Sequence, residues 1–321
     1  MGDGWAPTAL PQPPDLQVKL DAPDIRRWLP GNAGVPGVWS FAAEEAGPHV
    51  AILGITHGNE IGGAIVLDRL LRAELRPLRG RLSLVFANID AYQRFDPTDP
   101  TATRFLEEDL NRIWDPSILD SPRRSSELRR ARALRPVIDG ADILLDLHSM
   151  LWPSEPLTLG GRTEKGGRLG LAIGGPALVV LDEGHASGER VIDYGGFSDP
   201  ASDKVAVLVE GGPHWDPATP EVLERAAMGL LRHVGMAEWQ PPAAPPPRLA
   251  RVTRTITAMT ESFAFVREFR GGEVIAARNT IIALDGEAEI RTPHADCLLV
   301  MPTPYPPAGH TAVRLARFDG A

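Results

Sequence analysis

The chain has 321 residues, 43% of them hydrophobic, enough to bury one large core with a smaller domain besides. A formal net charge of −9 argues against a polyanion-binding surface, so nucleic acid is excluded as an expected partner. A single cysteine excludes a disulfide framework and a cysteine-based zinc module, and no apolar run approaches the length of a membrane span.

The first informative element is the apolar run Val50, Ala51, Ile52, Leu53, Gly54, Ile55, the pattern of a parallel strand covered on both faces. It ends in Thr56, His57, Gly58, Asn59 and Glu60, and residues 61–71 then carry helical apolar spacing. His57 is expected at the strand end and Glu60 at the helix start. Imidazole plus carboxylate suits zinc, and catalytic zinc sites commonly combine two histidines with a glutamate. The same pair also fits a loop histidine beside a glutamate that favours the helix dipole. Residues 82–87 read as a second strand. Residues 125–132, with Ser125, Ser126 and Glu127 at the start, read as a helix whose arginines form a solvated face.

Residues 141–150 give another apolar strand, and again a histidine, His148, closes it. Strand ends on one edge of a parallel sheet gather ligand sites, so His148 can meet His57 and Glu60. Asp146 precedes it by one strand period and either orients the imidazole or pairs with a basic neighbour. The stretch 151–204 is rich in Gly, Pro and Ser and is expected to supply pocket loops. Trp152, Tyr194 and Phe197 there are pocket walls or packing anchors. Residues 178–181 and 205–212 are further strands, the second ending in Glu210, Gly211 and Gly212. A carboxylate at that end can serve as general base; alternatively it is a strand-end charge facing water. His214 either approaches the site, bonding Glu210 or the substrate, or packs in a loop. Residues 221–234 read as the closing helix.

A proline segment at 240–248 divides the chain into a catalytic domain, 1–239, and a small β domain, 249–321. Strands are expected there at 252–259, 264–269, 273–276, 280–283, 297–301 and 313–317. Cys297 reads as a buried small hydrophobe. The fold class expected is α/β, a mostly parallel (mixed) sheet flanked by helices, followed by all-β structure. The N-terminus has no basic segment followed by an apolar core, which leaves a cytoplasmic location as the default expectation.

Taken together, His57-Gly58-Asn59-Glu60, Asp109-Leu110-Asn111-Arg112, Asp146-Leu147-His148 and Val209-Glu210-Gly211-Gly212 resemble, in this order, one known family. It is the succinylglutamate desuccinylase/aspartoacylase group of zinc-dependent deacylases, relatives of the zinc carboxypeptidases. The resemblance runs from about residue 50 to 212 and more loosely beyond. It implies a zinc carboxypeptidase-like fold and one zinc per chain, bound by His57, Glu60 and His148. It further implies that Glu210 handles the proton and that Asn111 and Arg112 hold a substrate carboxylate. A planar guanidinium fork beside an amide donor is suited to that task. Read alone, Arg112 would pair with Glu107, Glu108 or Asp109. One departure stands out: after the second strand, Asp90 occupies a place where the aspartoacylase branch carries an arginine, and Arg104 is offered as a substitute. The expected activity is hydrolysis of the amide bond of a small N-acyl amino acid bearing a carboxylate, with esters as further candidates. A zinc carboxypeptidase or a non-catalytic metal-binding protein are the alternatives. A homo-oligomer is compatible with all three.

Overall fold

A computed structural model of the chain describes residues 16–185 and 187–320. The chain folds as two units. The larger comprises 16–150 and 156–249; the smaller, among the described residues, comprises 151–155 and 250–320.

The larger unit holds seven strands: β1 (Val38–Ala42), β2 (His49–Gly54), β3 (Arg81–Phe86), β4 (Ile143–Met150), β5 (Leu157–Leu159), β6 (Leu178–Leu181) and β7 (Val205–Pro213). They lie in the order β1-β3-β2-β4-β7-β5-β6. The central β3-β2-β4-β7 ladders are parallel, whereas β1 joins β3 and β5 joins β7 in antiparallel fashion. The sheet is therefore mixed with a parallel centre. Helices α1 (Ile61–Arg72), α2 (Ile89–Tyr92), α3 (Pro116–Leu119), α4 (Ser126–Gly140), α5 (Glu164–Ala172) and α6 (Ala218–His233) complete it. Val50, Ala51 and Ile52 have no exposed surface, as do Leu144, Leu145 and Leu147 on β4. Covering both faces is what made these strands read as unbroken apolar runs. Among the described residues, no helix is long and apolar enough to cross a membrane.

Two features of this topology place the site. From β2 the chain goes through α1 to β3 on one side, and later returns through α4 to β4 on the other. The β2/β4 boundary is thus the switch point where connections diverge and leave a crevice. The register then makes the endings level: Gly54 pairs with Leu147, and His148 pairs with Glu210.

The stretch 151–204 is more ordered than its composition suggested, since it contains β5, α5 and β6. Gly166, Gly167 and Gly170 lower the helix propensity of α5 and hide its pattern. Thr163 nevertheless caps it, accepting from the Gly166 N–H.

The smaller unit is all-β. Strands β8 (Arg248–Thr257), β14 (Thr311–Phe318), β13 (Cys297–Val300) and β10 (Val274–Ile275) are neighbours in that order, with every ladder antiparallel. A second sheet runs β12 (Ala288–Arg291), β11 (Ile281–Asp285), β9 (Ala264–Phe265). Phe263, Phe265, Phe269, Ile282, Leu299 and Leu315 form its core, and Cys297 is fully buried among them. The strand expected at 264–269 spans only its first two residues, and β12, four residues long with its first two exposed, went unread. Residues 151–155 depart from a division at the proline segment alone: Glu155 N–H donates to the Gly271 carbonyl (3.0 Å) and Gly271 N–H to Pro153 (3.1 Å). Trp152 meets Tyr305, ring centroids 5.6 Å apart.

Candidate active site at the strand ends

The turn after β2 begins with Ile55, buried and at φ 54°, a left-handed conformation that is a genuine outlier for a β-branched residue. Next, Thr56 Oγ1 donates to Asp146 Oδ1 (2.7 Å) and ties the turn to β4. Gly58 follows because nothing larger fits. A Cβ there would stand 2.6 Å from the Ala91 carbonyl carbon and the Thr103 oxygen. Its N–H donates to the Arg104 carbonyl (3.0 Å), so segment 103–104 lies directly on the turn.

His57, Glu60 and His148 converge, all buried, with one potential ligand atom from each within 4.8 Å of the others. The two imidazoles are arranged alike. His57 Nδ1 lies 2.7 Å from Glu60 Oε1, and His148 Nδ1 lies 3.0 Å from Glu60 Oε2. The far nitrogens are held by carboxylates: His57 Nε2 by Asp109 (2.9 Å) and His148 Nε2 by Asp146 (2.6 Å). Burial works against the Glu60 carboxylate, yet the His57 and His148 charges hold it well below its ordinary range. Burial likewise opposes the His148 imidazolium, but Asp146 and Glu60 keep it well above the usual value. Two imidazole nitrogens and a carboxylate oxygen, with each far nitrogen fixed by an aspartate, are a donor set that fits zinc and leaves a coordination position open.

Glu210 stands across the β4–β7 ladder from His148. It is 7% exposed, and its Oε2 has no hydrogen-bond partner among the described residues. Burial pushes its carboxyl up to about 8, against the pull of His148.

Asp109 opens the short turn Leu110–Arg112, its side chain accepting from the Asn111 N–H (2.8 Å). Burial raises the Asp109 pKa, but His57 and Arg104 outweigh it and hold the group well below the carboxylate range. Asn111 is buried, with Oδ1 accepting from the Val191 N–H (2.9 Å) and Nδ2 3.4 Å from His148 Nε2. Arg112 is half-buried, and its Nη1 donates to the Asn111 carbonyl (2.7 Å).

Three further residues belong to this neighbourhood. Arg104 brings its guanidinium to Glu60 Oε1 (3.3 Å), Asp109 Oδ2 (3.2 Å) and the His57 ring (2.9 Å from Nε2). Glu127, wholly buried at the start of α4, accepts from the N–H groups of Leu106, Glu107 and Glu108, and so holds the loop that leads to Asp109. Ser149 donates its N–H to Glu60 Oε2 (2.9 Å).

His214 meets Ser149 Oγ (2.7 Å) and not Glu210. Tyr194 and Phe197 are packed: Tyr194 meets Trp114 at a tilt of 59° and donates to Asp139, and both are buried. Asp90 pairs with Arg129 (3.6 Å) on the surface. The arginines of α4 are not simply solvated, because Arg130 donates to the carbonyls of Ala87 and Phe86 and Arg132 to those of Leu119 and Ser121.

Comparison with known proteins finds relatives of the fold and of one segment. The model of the succinylglutamate desuccinylase/aspartoacylase catalytic domain matches residues 46–156. The structure of succinylglutamate desuccinylase from Vibrio cholerae is similar with a TM-score of 0.65 and 18% identity, over 88% of this chain and 86% of that one. A succinylglutamate desuccinylase/aspartoacylase from Rhodobacter sphaeroides gives 0.64 and 19%, over 88% and 89%. An aspartoacylase family protein from Mesorhizobium loti gives 0.63 and 18%, over 87% and 88%. At such identities the structures speak for the fold, and the domain match speaks for the segment that carries His57, Glu60, Asn111, Arg112 and His148. In motif order, in its matched segment and in fold, the chain resembles the succinylglutamate desuccinylase/aspartoacylase family.

Proposed function

We propose that the chain is a zinc-dependent deacylase that hydrolyses the amide bond of a small N-acyl amino acid. The observation that carries this reading is the buried Glu210, whose Oε2 has no partner among the described residues, set beside a buried His-Glu-His group. His57 Nδ1, Glu60 and His148 Nδ1 would hold the metal. When bound, zinc acts as a Lewis acid toward water and toward the acyl carbonyl.

The remaining steps belong to the chain's own residues. Glu210 takes a proton from the attacking water and delivers it to the leaving nitrogen. Desolvation makes its carboxylate a stronger base than one in water, while a cation at the neighbouring group favours the ionised form. Arg104 places a guanidinium beside Glu60, where it stabilises negative charge as it develops on the acyl oxygen. Asn111 and Arg112 anchor the substrate carboxylate and so orient the scissile bond. The amide of Asn111 is pre-set for this. Its oxygen is taken by Val191, and with His148 Nε2–H donating to Asp146, Nδ2 finds no acceptor there and is left for a ligand. Asp90 offers no cation for a second acidic group, which favours substrates with one carboxylate.

Glu210→Gln is expected to keep about one zinc per chain, by elemental analysis, and to lose roughly 10²–10⁴-fold in kcat on N-acyl amino acids. Loss of metal in that variant would move Glu210 into the ligand set and overturn its assignment. Turnover of peptides or esters alone, from a panel that includes both, would overturn the substrate class.

A further inference from the structure

Strand β7 leaves register with β4 immediately past the site. His148 faces Glu210, but the next pair is Met150 with Pro213, so β7 carries one extra residue in this interval. The bulge falls at Gly211 and Gly212, with Gly212 at φ 131°. Bulges bend a strand and re-aim the side chains that follow. Here the side chain is that of His214, whose N–H donates to the Met150 carbonyl (2.9 Å) and whose Nδ1 lies 2.7 Å from Ser149 Oγ. Ser149 is in turn bound through its N–H to Glu60. Both residues are 4% exposed. A single serine therefore links His214 to the proposed metal ligands.

The hydrogen in this pair has a preferred place. An imidazole and a hydroxyl can share the bond in either direction. Were the ring to donate, the Ser149 hydroxyl proton would need another acceptor, and among the described residues there is none. With the hydroxyl donating, Ser149 Oγ–H and His214 Nδ1 satisfy each other and the ring proton sits on Nε2. Burial pushes the His214 pKa down to about 4, so the ring is neutral. Its bond to Ser149, the residue that follows His148 and donates to Glu60, places it at the edge of the same site. Nε2 has no partner among the described residues, and it is not one of the fully buried polar atoms, so in a side chain only 4% exposed it is the ring nitrogen left open to solvent. A donor that reaches solvent from an otherwise buried ring can exchange its water for a ligand oxygen at little cost.

We infer that His214 is a substrate-binding residue whose Nε2–H donates to an uncharged oxygen of the substrate, an amide carbonyl or a hydroxyl. A neutral N–H gives a hydrogen bond without charge, so a second carboxylate gains less from it than from a guanidinium. The inference rests on the N-acyl amino acid reading above.

The test compares zinc-loaded wild type, His214→Phe and His214→Gln on the N-acyl amino acid panel, with zinc content measured for each. His214→Phe keeps a ring and removes the donor; KM is expected to rise about tenfold, with kcat within about threefold and zinc unchanged. His214→Gln restores a donor and should recover part of the loss. Wild-type turnover with an unchanged KM in His214→Phe overturns the inference and leaves the deacylase reading standing. A wild type that turns over no panel member overturns both. Side-chain ¹⁵N NMR of histidine supplies a readout independent of turnover: the Nε2–H tautomer is expected in wild type and a tautomer mixture in Ser149→Ala. An Nδ1–H tautomer in wild type would also overturn it.

Discussion

Each imidazole of the His-Glu-His group is steered from its far side, and Asp146 shows how much depends on one carboxylate. It has no exposed surface and holds both His148 Nε2 and Thr56 Oγ1, so it fixes a ring on β4 and the turn after β2 together. Asp146→Asn keeps an acceptor but removes the charge. Zinc affinity is expected to fall about 10–100-fold, since partners of metal-bound histidines tune ligand basicity and orientation. Chelator competition against wild type measures this, and equal affinities would reduce Asp146 to a structural tie. Asp146, like His57, Glu60, His148 and Glu210, was readable in the sequence because each sits at or near the close of an apolar strand. Arg104 was offered only as a substitute cation for a second acidic group, and its contacts with Glu60, Asp109 and His57 were not readable. It reaches Glu60 from a long irregular segment, through the bond between its carbonyl and the Gly58 N–H, and no periodicity records such a contact.

The same contrast holds among the elements. The parallel centre was legible because burial on both faces leaves apolar runs, whereas β1, with mostly half-buried residues on the sheet edge, and the glycine-rich α5 carry no comparable pattern. The role of α4 was legible only in part: Ser125 caps it as its sequence suggests, but Glu127 in its first turn does more than favour the dipole. Its two oxygens satisfy three consecutive backbone N–H groups and so brace the approach to Asn111. A second brace comes from the other side. Arg190, 3% exposed, bonds Asp182 and Asp193, and the adjacent Val191 N–H holds Asn111. Glu127→Ala would leave those three N–H groups without their acceptor, at a cost of about 3 kcal/mol in urea-monitored stability. A loss within about 0.5 kcal/mol would show that the loop is held by other means. Glu127→Gln, which keeps an acceptor, should cost less.

For the molecule as a whole, the informative segment is 151–155. It leaves β4 two residues after His148 and is counted in the smaller unit, where it bonds Gly271 on both sides and sets Trp152 against Tyr305. Nothing in its composition marks it, because five residues between strands show no pattern of their own. In the proline segment, residues 241–247 have no helix or strand and are largely exposed. An exposed spacer without secondary structure is a natural place for nicking. Cleavage within 241–247 would sever the peptide path into β8 while leaving 151–155 attached to the N-terminal fragment. Because that segment supplies part of the smaller unit's own structure, the two fragments are expected to co-elute on native size exclusion and to separate only in denaturant. Separation under native conditions would mean that the bonds to Gly271 and the Trp152–Tyr305 contact are too weak to hold the segment in place. Co-elution of wild-type fragments, but not of fragments carrying Trp152→Ala, would locate that hold in the ring contact.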